Sequence, residues 1–310
     1  MRRRRVRGWL RWRMRRVREL SVRDRVGISW RPMLAIGIVA HLEQIDVVEL
    51  IAEDFSGARR REMRALRTLA AQVPVVLHGI SLGLASASPV PARLLERMAR
   101  LVDDLRPESW SEHLAFVRAD GVEIGHLAAP PRTEATIEGA CRNLERARAV
   151  VGLRPRLENV ATLIDPPGSA LDEPSWISRI VADSSCDLLL DLHNLCANAR
   201  NFGFEPLAFL DRIPLERVSV IHVAGGRWVT AGEGEARCQR WLDDHLHRVP
   251  DAVYELLATV AARAPGPLTV IVERDGRFPP FAALLAEIEH ARHAVRNGRA
   301  RRDSRLERVA

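Results

Sequence analysis

The chain contains no lysine. All 47 of its basic residues are arginine, and its 310 residues include a single tyrosine. The missing lysine is a compositional bias and carries no mechanism. Four cysteines, at 141, 186, 196 and 238, include no C-x-x-C pair. That excludes a disulfide framework and a thiolate zinc site, and leads us to expect reduced, buried or half-buried thiols in a cytoplasmic protein. No segment approaches the roughly 18 consecutive apolar residues of a membrane helix, and no internal repeat is visible. The N-terminal arginines followed by Met33–Ala40 have the outline of a secretory signal. However, Gly27-Ile-Ser-Trp30 separates the two parts and no small-residue cleavage site follows, so Met33–Ala40 is expected to be a helix of the fold.

Charge is present but unevenly placed. Residues 1–26 carry twelve Arg against Glu19 and Asp24, a net +10. Residues 292–310 carry seven Arg against Asp303 and Glu307, a net +5. Of the chain's overall +7, the intervening body is left with −8. A basic chain ordinarily suggests nucleic acid, but an acidic body repels phosphate unless metals offset it, so nucleic acid is not expected as a partner. We divide the chain into an Arg-rich extension over 1–24, a catalytic barrel over 25–294 and an Arg-rich tail over 295–310. The extension is expected to be a solvated arm, or the product of a start codon placed too early.

Short β-rich runs alternate with longer helical ones, the pattern of βα units around a parallel sheet. Strands are expected near Val26–Trp30, Asp46–Ile51, Val73–His78, Ser109–His113, Arg154–Glu158, Asp187–Asp191, Val218–His222 and Leu268–Glu273. Helical patterns lie between them, and Pro279–Ala294 closes the set. Eight such units predict a single (β/α)8 TIM barrel. The long polar segment Gly225–Arg248 is of the kind that builds active sites in this fold.

The strand ends carry the chemistry. Strands three to eight finish at His78, Glu112-His113, Glu158-Asn159, Asp191 with His193 and Asn194 just beyond, His222, and Glu273. Asp243-Asp244-His245-Leu246-His247 lies in the long segment. A single histidine after an apolar run is ordinarily a core or capping residue. Six consecutive strands delivering His, Asp or Glu at the same end place those side chains around one cavity. Several carboxylates in a low-dielectric cavity repel one another unless a cation sits between them, so a metal cluster is expected. Imidazole and carboxylate without thiolate suits Fe, Mn or Zn better than Ca. Asp243 and His245, two apart, face the same way if the segment is extended. Glu158, on a central strand, is placed to bridge two ions.

These residues resemble a known family. His78-Gly79, Ser111-Glu112-His113, Leu157-Glu158-Asn159, Leu190-Asp191-x-x-Asn194, Ile221-His222-x-Ala-Gly225 and Asp243-x-His245 are similar to the motifs of the multinuclear non-heme iron-dependent oxidative enzymes (MNIO). Asp46-Val-Val-Glu49-Leu, Ala52-Glu53-Asp54-Phe55 and Glu273-Arg-Asp275 fit the same pattern. The resemblance implies a barrel of the xylose isomerase-like and AP-endonuclease-like lineage, holding two or three irons in mixed Fe(II)/Fe(III) states, with zinc or manganese as alternatives. It implies oxidation by O2 of a residue, cysteine above all, in a ribosomally made precursor peptide that a partner protein or recognition domain presents. By the same analogy His78, His113 and Glu158 hold a first ion. Glu158, Asp191, His222 and Glu273 hold a second, and Asn194, Asp243 and His245 a third. Glu112, Asn159, His193 and His247 are candidates to orient ligands or touch substrate. This chain departs from the pattern in having His193 where Asn is common, and Gly226 where many members carry His. A phosphodiester hydrolase of the AP-endonuclease type and a sugar-isomerase-like barrel are the competing readings.

Overall fold

The computed structural model describes residues 23–119, 122–232 and 237–307. The expected N-terminal extension therefore lies, except for its last two residues, outside the described residues. Eight strands form a closed parallel barrel: β1 (Arg25–Ser29), β2 (Val48–Ile51), β3 (Val75–Gly79), β4 (Trp110–His113), β7 (Arg156–Glu158), β8 (Asp187–Asp191), β9 (Val218–Val223) and β12 (Thr269–Val272). β12 pairs with β1, closing the ring. Each expected strand corresponds to one of these, because a strand buried on both faces is written as a short, continuous apolar run that polar residues interrupt only at its wet end.

Side chains alternate along a strand with period two, and this alternation builds the site. Val47, Val76, Leu189, Val220 and Ile271 pack together inside the barrel, apart from the larger core between strands and helices. Each stands two residues before Glu49, His78, Asp191, His222 or Glu273. An apolar floor therefore lies directly beneath a layer of imidazoles and carboxylates. Gly27 on β1 permits the close approach of the chain entering β2, since a Cβ there would run into the Val47 carbonyl.

Two antiparallel hairpins that the expected pattern lacks rise from the barrel mouth. β5 (Phe116–Ala119) and β6 (Val122–Ala128) follow β4; β10 (Gly226–Ala231) and β11 (Cys238–Asp243) follow β9. The second hairpin occupies the long polar segment. The helix Leu192–Phe202 starts immediately at the end of β8, with Asp191 as its N-cap: the Asp191 Oδ1 accepts from the Asn194 N–H at 2.6 Å. The last helix, Phe281–Glu307, runs through the stretch expected as a tail. It continues because Val295 is buried, and because Arg299 reaches the Asp24 carboxylate and the carbonyls of Ala261, Ala264 and Gly266. Among the described residues no helix is long and apolar enough to cross a membrane. The four cysteines are free, two buried and two half-buried.

Candidate metal centre

The nine residues expected as ligands converge at the C-terminal mouth, and hydrogen bonds fix how His78, His113 and His222 present themselves. The Ser111 hydroxyl donates to the Leu77 carbonyl, so it accepts from His78 Nδ1 at 2.9 Å; His78 Nε2 then faces Glu158 Oε2 at 3.3 Å. The Gly79 carbonyl can only accept, so His113 Nδ1 donates to it and Nε2 faces the same Glu158 oxygen at 3.4 Å. His222 Nε2 donates to Glu49 Oε2 at 2.9 Å, which turns Nδ1 toward Glu273 Oε2 at 3.1 Å and Glu158 Oε1 at 3.5 Å. His245 lies with Nδ1 3.5 Å from Asp275 Oδ2 and Nε2 2.9 Å from Asp243 Oδ1.

For His78, His113 and His222 an imidazole lone pair is thereby aimed at a carboxylate oxygen. His222 Nδ1, His245 Nε2, Glu158 Oε2, Asp191 Oδ2, Asn194 Oδ1 and Glu273 Oε2 are all buried without a hydrogen-bond partner. Buried polar atoms are ordinarily satisfied, and six orphans on six expected ligands fit a site built for cations. Asn194 is oriented in the same sense: its amide N–H donates to the Asn159 carbonyl, leaving its oxygen free. His78, His113 and Glu158 form one group of mutually close donor atoms; Glu158, Asp191 and His222 form another, and Asp191, His245 and Glu273 a third. Shared members join these groups into one cluster, with Glu158 common to the first two.

The electrostatics agree. Burial, reinforced by Asp243, Glu158 and Glu273, pushes the Asp191 carboxyl well above its ordinary range. Burial acts against the charge of His113, but Glu158, Glu112 and Glu273 outweigh it and lift that imidazole to about 9. His222 and His245 are raised against burial in the same way, by Glu273 and Glu49 and by Asp243 and Glu273. Burial alone would raise Glu158 and Glu273, yet the surrounding imidazoles hold both below the usual carboxylate range. Two like charges about 4 Å apart cost roughly 4 kcal/mol at an effective dielectric near 20. Without a cation the cluster can relieve this only by taking up protons.

The remaining candidates surround these ligands. Glu112 is fully buried: its carboxylate accepts from the backbone N–H of Leu82 and of His113, and so shapes the loop after β3. Glu53 holds that loop from the other side, accepting from the N–H of Ile80 and Ser81. Asn159 ties β7 to β8 by exchanging two 2.9 Å hydrogen bonds with the Asp191 backbone. His193 is fully buried and bonded to Asp243 and Trp241. His247 bonds instead to Asp244 at the half-buried rim, outside the cluster.

Two points differ from expectation. β11 ends at Asp243, and His245 turns inward through a left-handed backbone (φ 52°) rather than along an extended segment. The Asp244 carboxylate, capping the Leu246 N–H, stabilises that turn. Glu49 is absent from the expected set, yet it stands in the ligand layer with Oε2 on His222 and a buried, unpartnered Oε1. The signal was available: Glu49 is the one charge in the otherwise apolar run Val47–Ile51, two residues beyond the floor residue Val47.

The mouth opens into a cavity of about 1080 Å³. Ile80, Phe116, Val117, Ile124, Leu163 and Ile164 wall it, with Trp241 and Leu242 from the second hairpin, while His78, His113, Glu158, Asn194, Asp243, His245 and Glu273 form its base. Among the described residues Arg31 is the one arginine lining it, and it is engaged with the Asp275 carboxylate.

Comparison with known proteins places this geometry. A family model described as RiPP precursor modification enzyme MbnB/TglH/ChrH matches residues 25–296. A UPF0276 protein of Streptomyces avermitilis is 36% identical over 282 residues, covering 89% of this chain and 55% of the relative, so the chain spans about half of that protein. A UPF0276 protein of Caulobacter vibrioides is 32% identical over 255 residues, covering 82% of this chain and 88% of the relative. Among solved structures, a xylose isomerase-like TIM barrel/4-hydroxyphenylpyruvate dioxygenase fusion protein matches 93% of this chain and 44% of its own, with TM-score 0.57 at 17% identity. Endonuclease IV from Thermus thermophilus matches 91% and 100%, with TM-score 0.50 at 19% identity. These structures share the barrel. With the family model spanning the whole of it, the chain belongs to the RiPP precursor modification enzyme MbnB/TglH/ChrH family, the one its strand-end motifs resemble.

Proposed function

We propose that this protein is a multinuclear iron-dependent oxidoreductase that uses O2 to modify a residue, cysteine above all, in a ribosomally made precursor peptide presented by a partner protein or recognition domain. The observation that carries this reading is the set of six orphaned donor atoms at the base of an apolar-walled cavity. His78, His113 and Glu158 would hold one ion, Glu158, Asp191, His222 and Glu273 a second, and Asn194, Asp243 and His245 a third. Bound iron would supply redox capacity and open positions for thiolate and O2, which mixed imidazole and carboxylate ligands suit.

The chain's own residues supply the rest. Glu49 and Asp275 orient His222 and His245, so that both rings present a lone pair inward. Glu53 and Glu112 fix the loop that carries Ile80 and Ser81 to the rim. The apolar walls exclude water from the reacting group and strengthen every interaction at the base. A cavity at the upper end of the roughly 300–1,000 Å³ of small-ligand pockets suits a segment of peptide. Among the described residues the walls disfavour phosphodiester cleavage, because a nucleic acid needs unpaired cations along its path and the lining arginine, Arg31, is already engaged. Free thiols throughout fit a reducing cytoplasm.

The test is to purify the protein without oxygen, measure its metals, and incubate it with air and a cysteine-containing precursor peptide. Iron at two or three ions per chain and an oxidative mass change on the peptide are expected. Bound zinc, with nicking of abasic DNA and no change in the peptide, would overturn the reading.

A further inference from the structure

His193 belongs to no ligand set proposed above, yet it is the most completely enclosed imidazole at the third position, with no exposed surface. Its partners settle its proton. The Trp241 indole N–H donates to His193 Nε2 at 2.9 Å. An indole nitrogen offers a donor and no acceptor, so Nε2 holds its lone pair toward Trp241 and Nδ1 carries the hydrogen. That hydrogen points at Asp243 Oδ1, 2.7 Å away. With both ring nitrogens occupied, His193 cannot ligate a metal, although it stands close enough to Asp243 and His245 to form a potential ligand group with them.

The surroundings are built to keep this chain of bonds in line. Asn201 clamps the Trp241 backbone, accepting from its N–H at 2.6 Å and donating to its carbonyl at 3.0 Å. The Arg200 guanidinium lies 4.2 Å above the indole ring, and Trp228 meets its edge. Opposite Asp243 in the hairpin register stands Gly226. A Cβ on Gly226 would lie 2.1 Å from the Leu242 carbonyl oxygen, 2.8 Å from His193 Cε1 and 3.0 Å from the Trp241 indole nitrogen. The hairpin backbone therefore leaves no room for a side chain at 226, and the His193 ring and the Trp241 indole close over the space beside that glycine.

We propose that Trp241 and His193 are positioning residues: the indole fixes the His193 tautomer, the imidazole fixes Asp243, and Asp243 so held sets the affinity of the third metal position. The proposal rests on the metal reading above. It couples seating of the second hairpin to that position, because Trp241 and Asp243 lie on the same strand while His193 lies on the helix that Asp191 caps.

The experiment compares wild type, Asp243→Asn, His193→Ala, His193→Asn and Trp241→Phe, each verified as folded by circular dichroism and each titrated with zinc. In the zinc-loaded wild type, long-range ¹H–¹⁵N correlation of labelled histidine should place the His193 proton on Nδ1. His193→Ala and Trp241→Phe should weaken the third position about 10- to 100-fold, the usual effect of removing a partner behind a ligand, and leave the tighter sites unchanged. His193→Asn, whose amide nitrogen replaces Nδ1 as donor to Asp243, should recover most of what His193→Ala loses. A proton on Nε2 in the wild type overturns the proposal. So does unaltered zinc affinity in both His193→Ala and Trp241→Phe while Asp243→Asn loses an ion. If Asp243→Asn itself retains every ion, the assignment of Asp243 as a ligand falls first and takes this proposal with it.

Discussion

Each imidazole of the cluster is defined by what lies behind it: Ser111 behind His78, Gly79 behind His113, Glu49 behind His222 and Asp275 behind His245. Glu49 is the sharpest case, because it is buried with one oxygen committed and one free. Replacing it by Gln keeps the volume but removes the charge that holds the His222 proton on Nε2. We expect Glu49→Gln to fold normally and to bind metal 10- to 100-fold more weakly, read by competition with a chelator of known affinity. Most of the residues that converge at the mouth were legible in the sequence because they end apolar runs. Glu49 was not, because it sits within one, where only counting by twos from Val47 separates an inward carboxylate from a core interruption. His245 was legible by type and spacing, but its left-handed turn was not, since that turn depends on the neighbouring Asp244 carboxylate.

At the scale of elements, the eight barrel strands were readable because burial on both faces demands apolar runs of a few residues. The hairpins were not, because in β6, β10 and β11 apolar residues stand singly or in pairs among polar ones, the described ones exposed or half-buried, so no buried run marks them. The helix Glu173–Ser184 carries a separate prediction. Glu173, in its first turn, is half-buried against Arg132 and Asn198. Burial outweighs the nearby arginine and lifts its carboxyl from about 4.5 to about 7. The folded state thus holds this proton more tightly than the unfolded chain. Its stabilising effect is complete below pH 4.5 and is lost as pH rises toward 7. Glu173→Gln should match the wild type in urea unfolding at pH 4.5 and exceed it by about 1–3 kcal/mol at pH 8. Equal stabilities at both pH values would contradict this account of the carboxyl.

For the whole molecule, the floor of apolar side chains and the cluster above it form a single structural unit, and the long closing helix locks the first and last strands beside it through Arg299 and Asp24. Cations that bind the folded chain alone stabilise it by mass action, about 2.7 kcal/mol at a hundredfold excess over Kd. Stripping them also leaves the carboxylates to repel one another. Chelation should lower Tm by roughly 5–10 °C for a domain of this size, and ferrous iron should restore it. An unchanged Tm would show that the cluster contributes nothing to the fold.

Metal ions at the barrel mouth would lie between the converging imidazoles and carboxylates. Anomalous diffraction at the iron absorption edge, from crystals grown without oxygen, tests this placement most directly. Two or three peaks are expected among His78, His113, Glu158, Asp191, Asn194, His222, Asp243, His245 and Glu273. A cluster in which the imidazoles and carboxylates contact one another directly, with no anomalous peak between them, would contradict the placement.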